Sequence, residues 1–266
     1  MIARVEHTAI GYDDVGPGPP VVFLHAFPLN RSMWSAQKTA LSGHRRCITV
    51  DMRGFGDSAA DGPHSMDRYA DDVAAVVEAT GAEQAAVIVG LSMGGYVAFA
   101  LWRRHRDLVS ALVLADTRSG DDAPETRARR HELIALARDA GVEAVADQQM
   151  IGLLGKTTRD RRPDVVRLVR SIAVSASVGG IVGGLEAMLA RPDSTATLAT
   201  IDVPTLVIAG EEDVLTPPKE ARAMHDAISG SRLELLANAG HLSCIERPAA
   251  FNAVLTEFLR EIEGAA

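Results

Sequence analysis

Residues 85–102 read AAVIVGLSMGGYVAFALW, eighteen consecutive positions without a charge. By length and apolarity such a run has the makings of a membrane-spanning helix. Its interior points elsewhere. Ala86-Val87-Ile88-Val89 is a short β-branched run of the kind that forms a buried parallel strand. Gly90, Ser92, Gly94 and Gly95 then interrupt it, and Tyr96 to Trp102 suits a buried helix. A strand, a serine set between glycines, and a helix together form a nucleophile elbow. The turn is so tight that side chains at Gly90 and Gly94 would strike neighbouring backbone, while the Ser92 hydroxyl projects. The helix start behind it offers free N–H groups and a positive dipole end to a developing anion.

Composition narrows what surrounds this element. With 266 residues, 47% of them hydrophobic, the chain suits one large α/β domain with an insertion and a sizeable core. The net charge of −8 gives nucleic acid no overall attraction. Residues 1–16 lack the basic-then-apolar pattern of a signal peptide, so the expected compartment is the cytoplasm, with no membrane association. Cys47 and Cys244 lie in no C-x-x-C or metal-ligand spacing and read as buried small residues. No metal or cofactor is implied.

Along the chain, Ile2 to Tyr12 alternates like one or two antiparallel edge strands. Continuous apolar strands follow at Val21–Leu24, Cys47–Val50, Leu108–Ala115 and Val203–Ala209, with a further strand at Arg232–Leu236. Helical spacing runs from Met66 to Thr80, stopping at Gly81, and again from Pro248 to Ile262. Strands alternating with helices mean a mostly parallel sheet with helices on both faces. From Arg118 to about Thr200 no buried strand is evident. Helices are expected at Glu125–Ala140, Val142–Leu153, Arg162–Ala176 and Ile181–Ala190. The expected division is therefore a core formed by residues 1–117 and 201–266, with residues 118–200 inserted as a helical cap, or lid.

A serine hydroxyl becomes a useful nucleophile only when a base takes its proton and a third group orients that base. His241, in the polar loop Asn238-Ala239-Gly240-His241-Leu242 after the last strand, is favoured as the base. The rival, His25, precedes the oxyanion turn and is better suited to bracing it. For the acid, Asp213 follows the Val203–Ala209 strand, and Asp116 holds the equivalent place one strand earlier. Asp213 gives the order Ser92, Asp213, His241. Oxyanion donors are expected at the backbone N–H of Met93 and of Phe27; Pro28 has no N–H to offer. Trp34, Phe27 and Met93 are candidate substrate-binding walls, each equally suited to the core.

These pieces, namely LHAFP, DMRGFGDS, GLSMGG, GEEDVLTP and NAGHLSCIERP in that order, resemble the α/β-hydrolase superfamily, in particular its esterase, enol-lactonase and perhydrolase-like group. The resemblance spans the chain. It implies the α/β-hydrolase fold, Ser92, Asp213 and His241 as a catalytic triad, Phe27 and Met93 as the oxyanion hole, and a cap over the site. Ala26 departs from it, since many members carry glycine there. The implied activity is cleavage of a small carboxylic ester or lactone through an acyl-enzyme, without a cofactor. Alternatives are a perhydrolase using peroxide, or a slowly turning over ligand-binding signalling protein. The partner expected is the small-molecule substrate alone; a homo-oligomer is left open.

Other patterns read as structural. Arg53 in Asp51-x-Arg53-Gly54 is expected to be held by a carboxylate. The clusters Arg103-Arg104-His105-Arg106, Arg127-x-Arg129-Arg130 and Arg159-x-Arg161-Arg162 read as solvated helix ends and faces. Arg118 and Arg127 are basic cap residues able to admit a substrate carboxylate. The uncharged, glycine-rich stretch 171–185 is either a packed cap helix or a pliable pocket wall.

Overall fold

A computed structural model describes residues 1–82 and 84–264. Eight strands form one sheet: β1 (Ile2–Val5), β2 (Thr8–Val15), β3 (Pro20–Leu24), β4 (Arg46–Val50), β5 (Ala86–Leu91), β6 (Val109–Ala115), β7 (Thr205–Gly210) and β8 (Arg232–Leu236). Their spatial order is β1-β2-β4-β3-β5-β6-β7-β8. The first two pairings, β1 with β2 and β2 with β4, are antiparallel, and every later pairing is parallel. Apolar runs such as Val21-Val22-Phe23-Leu24 are buried throughout because helices cover both faces.

The helices are α1 (Ser35–Leu41), α2 (Met66–Ala79), α3 (Met93–Arg104), α4 (Pro124–Leu153), α5 (Lys156–Arg161), α6 (Pro163–Ala173), α7 (Val178–Ala190), α8 (Thr195–Leu198), α9 (Pro218–Ala227), α10 (Ser243–Glu246) and α11 (Pro248–Gly264). Successive strand residues feed opposite cores. Val22, Leu24, Ile48 and Ile88 pack with α2, α3 and α9, whereas Val21, Phe23, Cys47 and Val89 pack with α1 and α11. The start of α2 shows how sequence sets such an element. The Ser65 hydroxyl accepts from the Arg68 N–H at 3.0 Å, and Met66, Tyr69, Ala70, Val73 and Val77 form its buried stripe.

Between β6 and β7 the chain runs only through α4 to α8. Helix α4 is interrupted at Gly141 (φ 82°), where the sequence placed the break between two helices. The glycines of α7 form a packing seam. Gly180 lies against the Gly54 backbone, Gly183 against His64 and Gly184 against Phe55 and Phe27. Of the two readings of residues 171–185, close packing is the one observed. Among the described residues no single helix is long and apolar enough to cross a membrane; residues 86–91 and 93–104 are instead a strand and a helix. Cys47 and Cys244 are free and buried.

Candidate active site

Strand β5 delivers Ser92 into the turn before α3 with φ 55° and ψ −112°, a region that ordinary L residues seldom occupy. Neighbouring groups hold it there. The Ser92 N–H donates to the Ala115 carbonyl at 3.0 Å, and its own carbonyl accepts from the Gly95 N–H and the Thr117 hydroxyl, both at 2.9 Å. A Cβ at Gly94 would strike the Leu24 carbonyl and one at Gly90 the Gly94 backbone, so both glycines are dictated by close approach.

The Ser92 hydroxyl donates to His241 Nε2 at 2.7 Å, and His241 Nδ1–H donates to Asp213 Oδ2 at 2.8 Å. Asp213 is fixed in turn: Oδ2 accepts from the Thr216 hydroxyl at 2.6 Å, and Oδ1 from the N–H groups of Leu215 and Thr216 at 2.8 and 3.0 Å. Burial opposes the charge on Asp213, yet the facing imidazole and the Thr216 donors pull its pKa below the ordinary value. Burial likewise opposes charge on His241, and Asp213 outweighs it, raising the ring above the usual histidine value. The three groups follow the parallel strands β5, β7 and β8, at whose carboxyl ends such sites form.

The rivals have other work. Asp116 accepts from the Gly210 N–H at 2.8 Å and from the Ser243 N–H and hydroxyl, tying β6, β7 and the loop of His241 together without bonding the ring. Burial, then repulsion by Asp213, pushes its pKa well up, favouring the neutral acid. His25 is fully buried, accepting at Nε2 from the Met52 N–H at 2.9 Å and donating from Nδ1 to the Ala26 carbonyl at 3.0 Å. It braces the loop carrying Phe27. The N–H groups of Phe27 and Met93 donate to no protein acceptor among the described residues; Met93 is the first residue of α3, where none is available within the helix.

A cavity of about 570 Å³ opens above Ser92 and His241, walled in part by Phe27, Tyr96, Arg118 and Met188. Several expectations are corrected here. Trp34 is no substrate wall: it is fully buried between Phe23 and Phe251, with ring centroids 5.2 and 6.1 Å away. Met93 turns its side chain into the core and is not one of the cavity walls. Arg127 donates to the Leu189 carbonyl at 2.9 Å and is not one of the cavity walls, whereas Arg130, which the sequence assigned to a solvated face, lines the cavity. Glu212 accepts from the Thr157 N–H at 2.7 Å and so anchors α5. Arg53 is held by Asp72 through bonds of 2.9 and 2.7 Å, as expected.

Sequence reasoning missed Glu246. Buried in α10, it accepts from the N–H groups of Gly240 and Leu242, on either side of His241, at 2.9 and 3.2 Å, and from Gly155 at 2.9 Å. Its spacing after His241 in HLSCIE was the available signal. Tyr96, one helical turn beyond Ser92, was legible from the α3 periodicity. Among the described residues no group of three or more His, Cys, Asp or Glu side chains is arranged to hold a metal ion.

Residues 19–248 match the family model for the alpha/beta hydrolase fold, and the chain belongs to that family. It is 37% identical to a thermophilic esterase from Thermogutta terrifontis, solved with malate bound, with a TM-score of 0.93 over 96% of this chain and 94% of that one. The enol-lactonase from Burkholderia xenovorans LB400 is 32% identical, with a TM-score of 0.90 over 98% and 100% of the two chains. A bromoperoxidase from Bacillus anthracis is 26% identical, with a TM-score of 0.85 over 95% and 96%.

Proposed function

We propose that the protein is a serine hydrolase that cleaves a small carboxylic ester or lactone through an acyl-enzyme. The observation that carries this reading is the unbroken chain Ser92 Oγ–His241–Asp213, with bonds of 2.7 and 2.8 Å, opening on a cavity. Ser92 Oγ attacks the carbonyl carbon while its proton passes to His241 Nε2, and Asp213 stabilises the imidazolium. The N–H groups of Phe27 and Met93 receive the oxyanion; one such donor is ordinarily worth ~10²–10³ in rate. Collapse of the tetrahedral adduct expels the alkoxide, which takes the proton from His241. Water, deprotonated by the same ring, then attacks the acyl-enzyme and frees the acid and Ser92. A lactone follows the same steps, its leaving alkoxide remaining tethered to the acyl group.

Residues 118–200 act as the cap in this reading, and the similarity to an esterase and an enol-lactonase supports the substrate class. The test is a panel of aryl esters, aliphatic esters and lactones of graded acyl size. Multiple turnover that vanishes in Ser92→Ala supports the reading; equal rates in both proteins refute it. A second reading, perhydrolysis with peroxide in place of water, is favoured by the similarity to a bromoperoxidase. Peracid formed at high peroxide and acetate supports it, and none formed removes it.

A further inference from the structure

One wall of the cavity carries more positive charge than its own acids can balance. Asp122, buried in the loop before α4, receives Arg118 Nη2 at 2.7 Å, Arg130 Nε and Nη2 at 2.6 and 3.3 Å, and Arg191 Nη2 at 2.9 Å. Three of those bonds fall on Oδ1 and one on Oδ2, and the carboxylate's roughly four lone-pair sites are far fewer than the fifteen N–H donors of three guanidiniums. Three guanidiniums thus surround a single anion, leaving a local excess of two positive charges. Arg118 and Arg130 are only 15% and 13% exposed, and both line the cavity beside Ser92. Arg191 stacks 4.3 Å from the Tyr96 ring, which is also a cavity wall. Charges this sheltered are little screened. The acids also on the cavity wall, Glu125 and Glu132, are exposed residues of α4 and share it with the exposed Arg129.

A guanidinium keeps its charge at all relevant pH and needs acceptors for its remaining N–H groups. Asp122 cannot serve all of these donors, and Arg130 Nη1 points only to the weak acceptor Met188 Sδ at 3.0 Å. A neutral acyl chain would leave these donors facing apolar atoms. A carboxylate would satisfy them.

We propose that the cavity wall formed by Arg118 and Arg130 is a carboxylate subsite, so that the substrate is an ester or lactone bearing a second, ionised carboxyl group away from the scissile carbonyl. This rests on the hydrolase reading above for the bond that is broken, but the recognition of the anion stands on the arginine cluster alone. Tyr96 lies between the two functions: it sits one turn past Ser92 on α3, and it lines the same cavity as Arg118. The subsite therefore selects the acyl group by charge at the same time as Ser92 engages its carbonyl.

The decisive comparison is monoethyl glutarate against its carboxamide isostere, ethyl glutaramate, followed by proton release at constant pH. Wild type is expected to favour the carboxylate in kcat/KM by about ten- to hundredfold. In Arg118→Gln that ratio should fall about tenfold or more, and Arg118→Lys should lie between, because the charge remains but the planar fork is lost. Arg130→Gln provides an independent variant. A purely structural role for the cluster would slow both substrates alike and leave the ratio unchanged, which would overturn the proposal. So would equal rates in wild type, with the hydrolase reading intact. Calorimetric binding of both compounds to Ser92→Ala separates the two ideas. If neither ester is hydrolysed but monoethyl glutarate binds in an Arg118-dependent way, the subsite stands and the hydrolase reading falls. If it does not bind, the subsite falls.

Discussion

Ser92, Asp116 and Asn238 are three of the four non-glycine residues with positive φ among the described residues, and they follow β5, β6 and β8. Strained backbone thus gathers at the carboxyl edge of the sheet, where the side chains must be aimed rather than merely accommodated. The two carboxylates there can be told apart by substitution. Asp213→Asn leaves the shape but removes the charge that orients His241, and kcat should fall by ~10⁴. Asp116→Asn should instead weaken the fold by about 1–3 kcal/mol through unpaired donors at Gly210 or Ser243, measured by denaturant unfolding. The pH profile supplies a further check. In the proposed mechanism His241 must be neutral to accept the proton, so kcat/KM should fall as pH drops through its pKa, which Asp213 holds above the usual histidine value. The acid limb of wild type should therefore lie above about 6.5, and in Asp213→Asn it should move to lower pH. An unmoved limb would mean that another group titrates. Ser92, Asp213 and His241 were legible because each closes a recognisable strand or its loop. Trp34 and Arg130 were misread because an indole or a guanidinium in sequence carries no mark of which way it faces.

At the scale of elements, the strands were read well, since runs such as Val21–Leu24 and Ala86–Val89 have the apolar continuity that burial on both faces demands. The helices α1, α5, α8, α9 and α10 were not seen. They are 4 to 10 residues long, too short for a 3.6-residue period to stand out from polar loop sequence. Two of the contacts that fix residues 118–200 also had no local signature. The α7 seam needs Gly180 against the Gly54 backbone, so Gly180→Ala should push the helix away and cost about 1–3 kcal/mol, read as a lowered Tm. Glu246 joins Gly155, ahead of α5, to both neighbours of His241. Glu246→Gln places an amide NH₂ among N–H donors and should lower both stability and kcat. A change in neither would show that the His241 loop is held elsewhere.

Across the whole molecule, the net charge of −8 and the positively charged cavity wall run in opposite senses. A field focused in a cleft acts locally even where the total charge would repel an anion. The architecture is a rigid sheet that brings residues from four strand ends to one rim, under helices that supply the rest of the cavity. The proposed chemistry depends on Ser92 being the nucleophile. Labelling with a fluorophosphonate, followed by mass spectrometry of the digested protein, tests this most directly. One adduct is predicted, on the peptide containing Ser92, absent from Ser92→Ala and strongly slowed in Asp213→Asn. An adduct that forms equally on Ser92→Ala would contradict it.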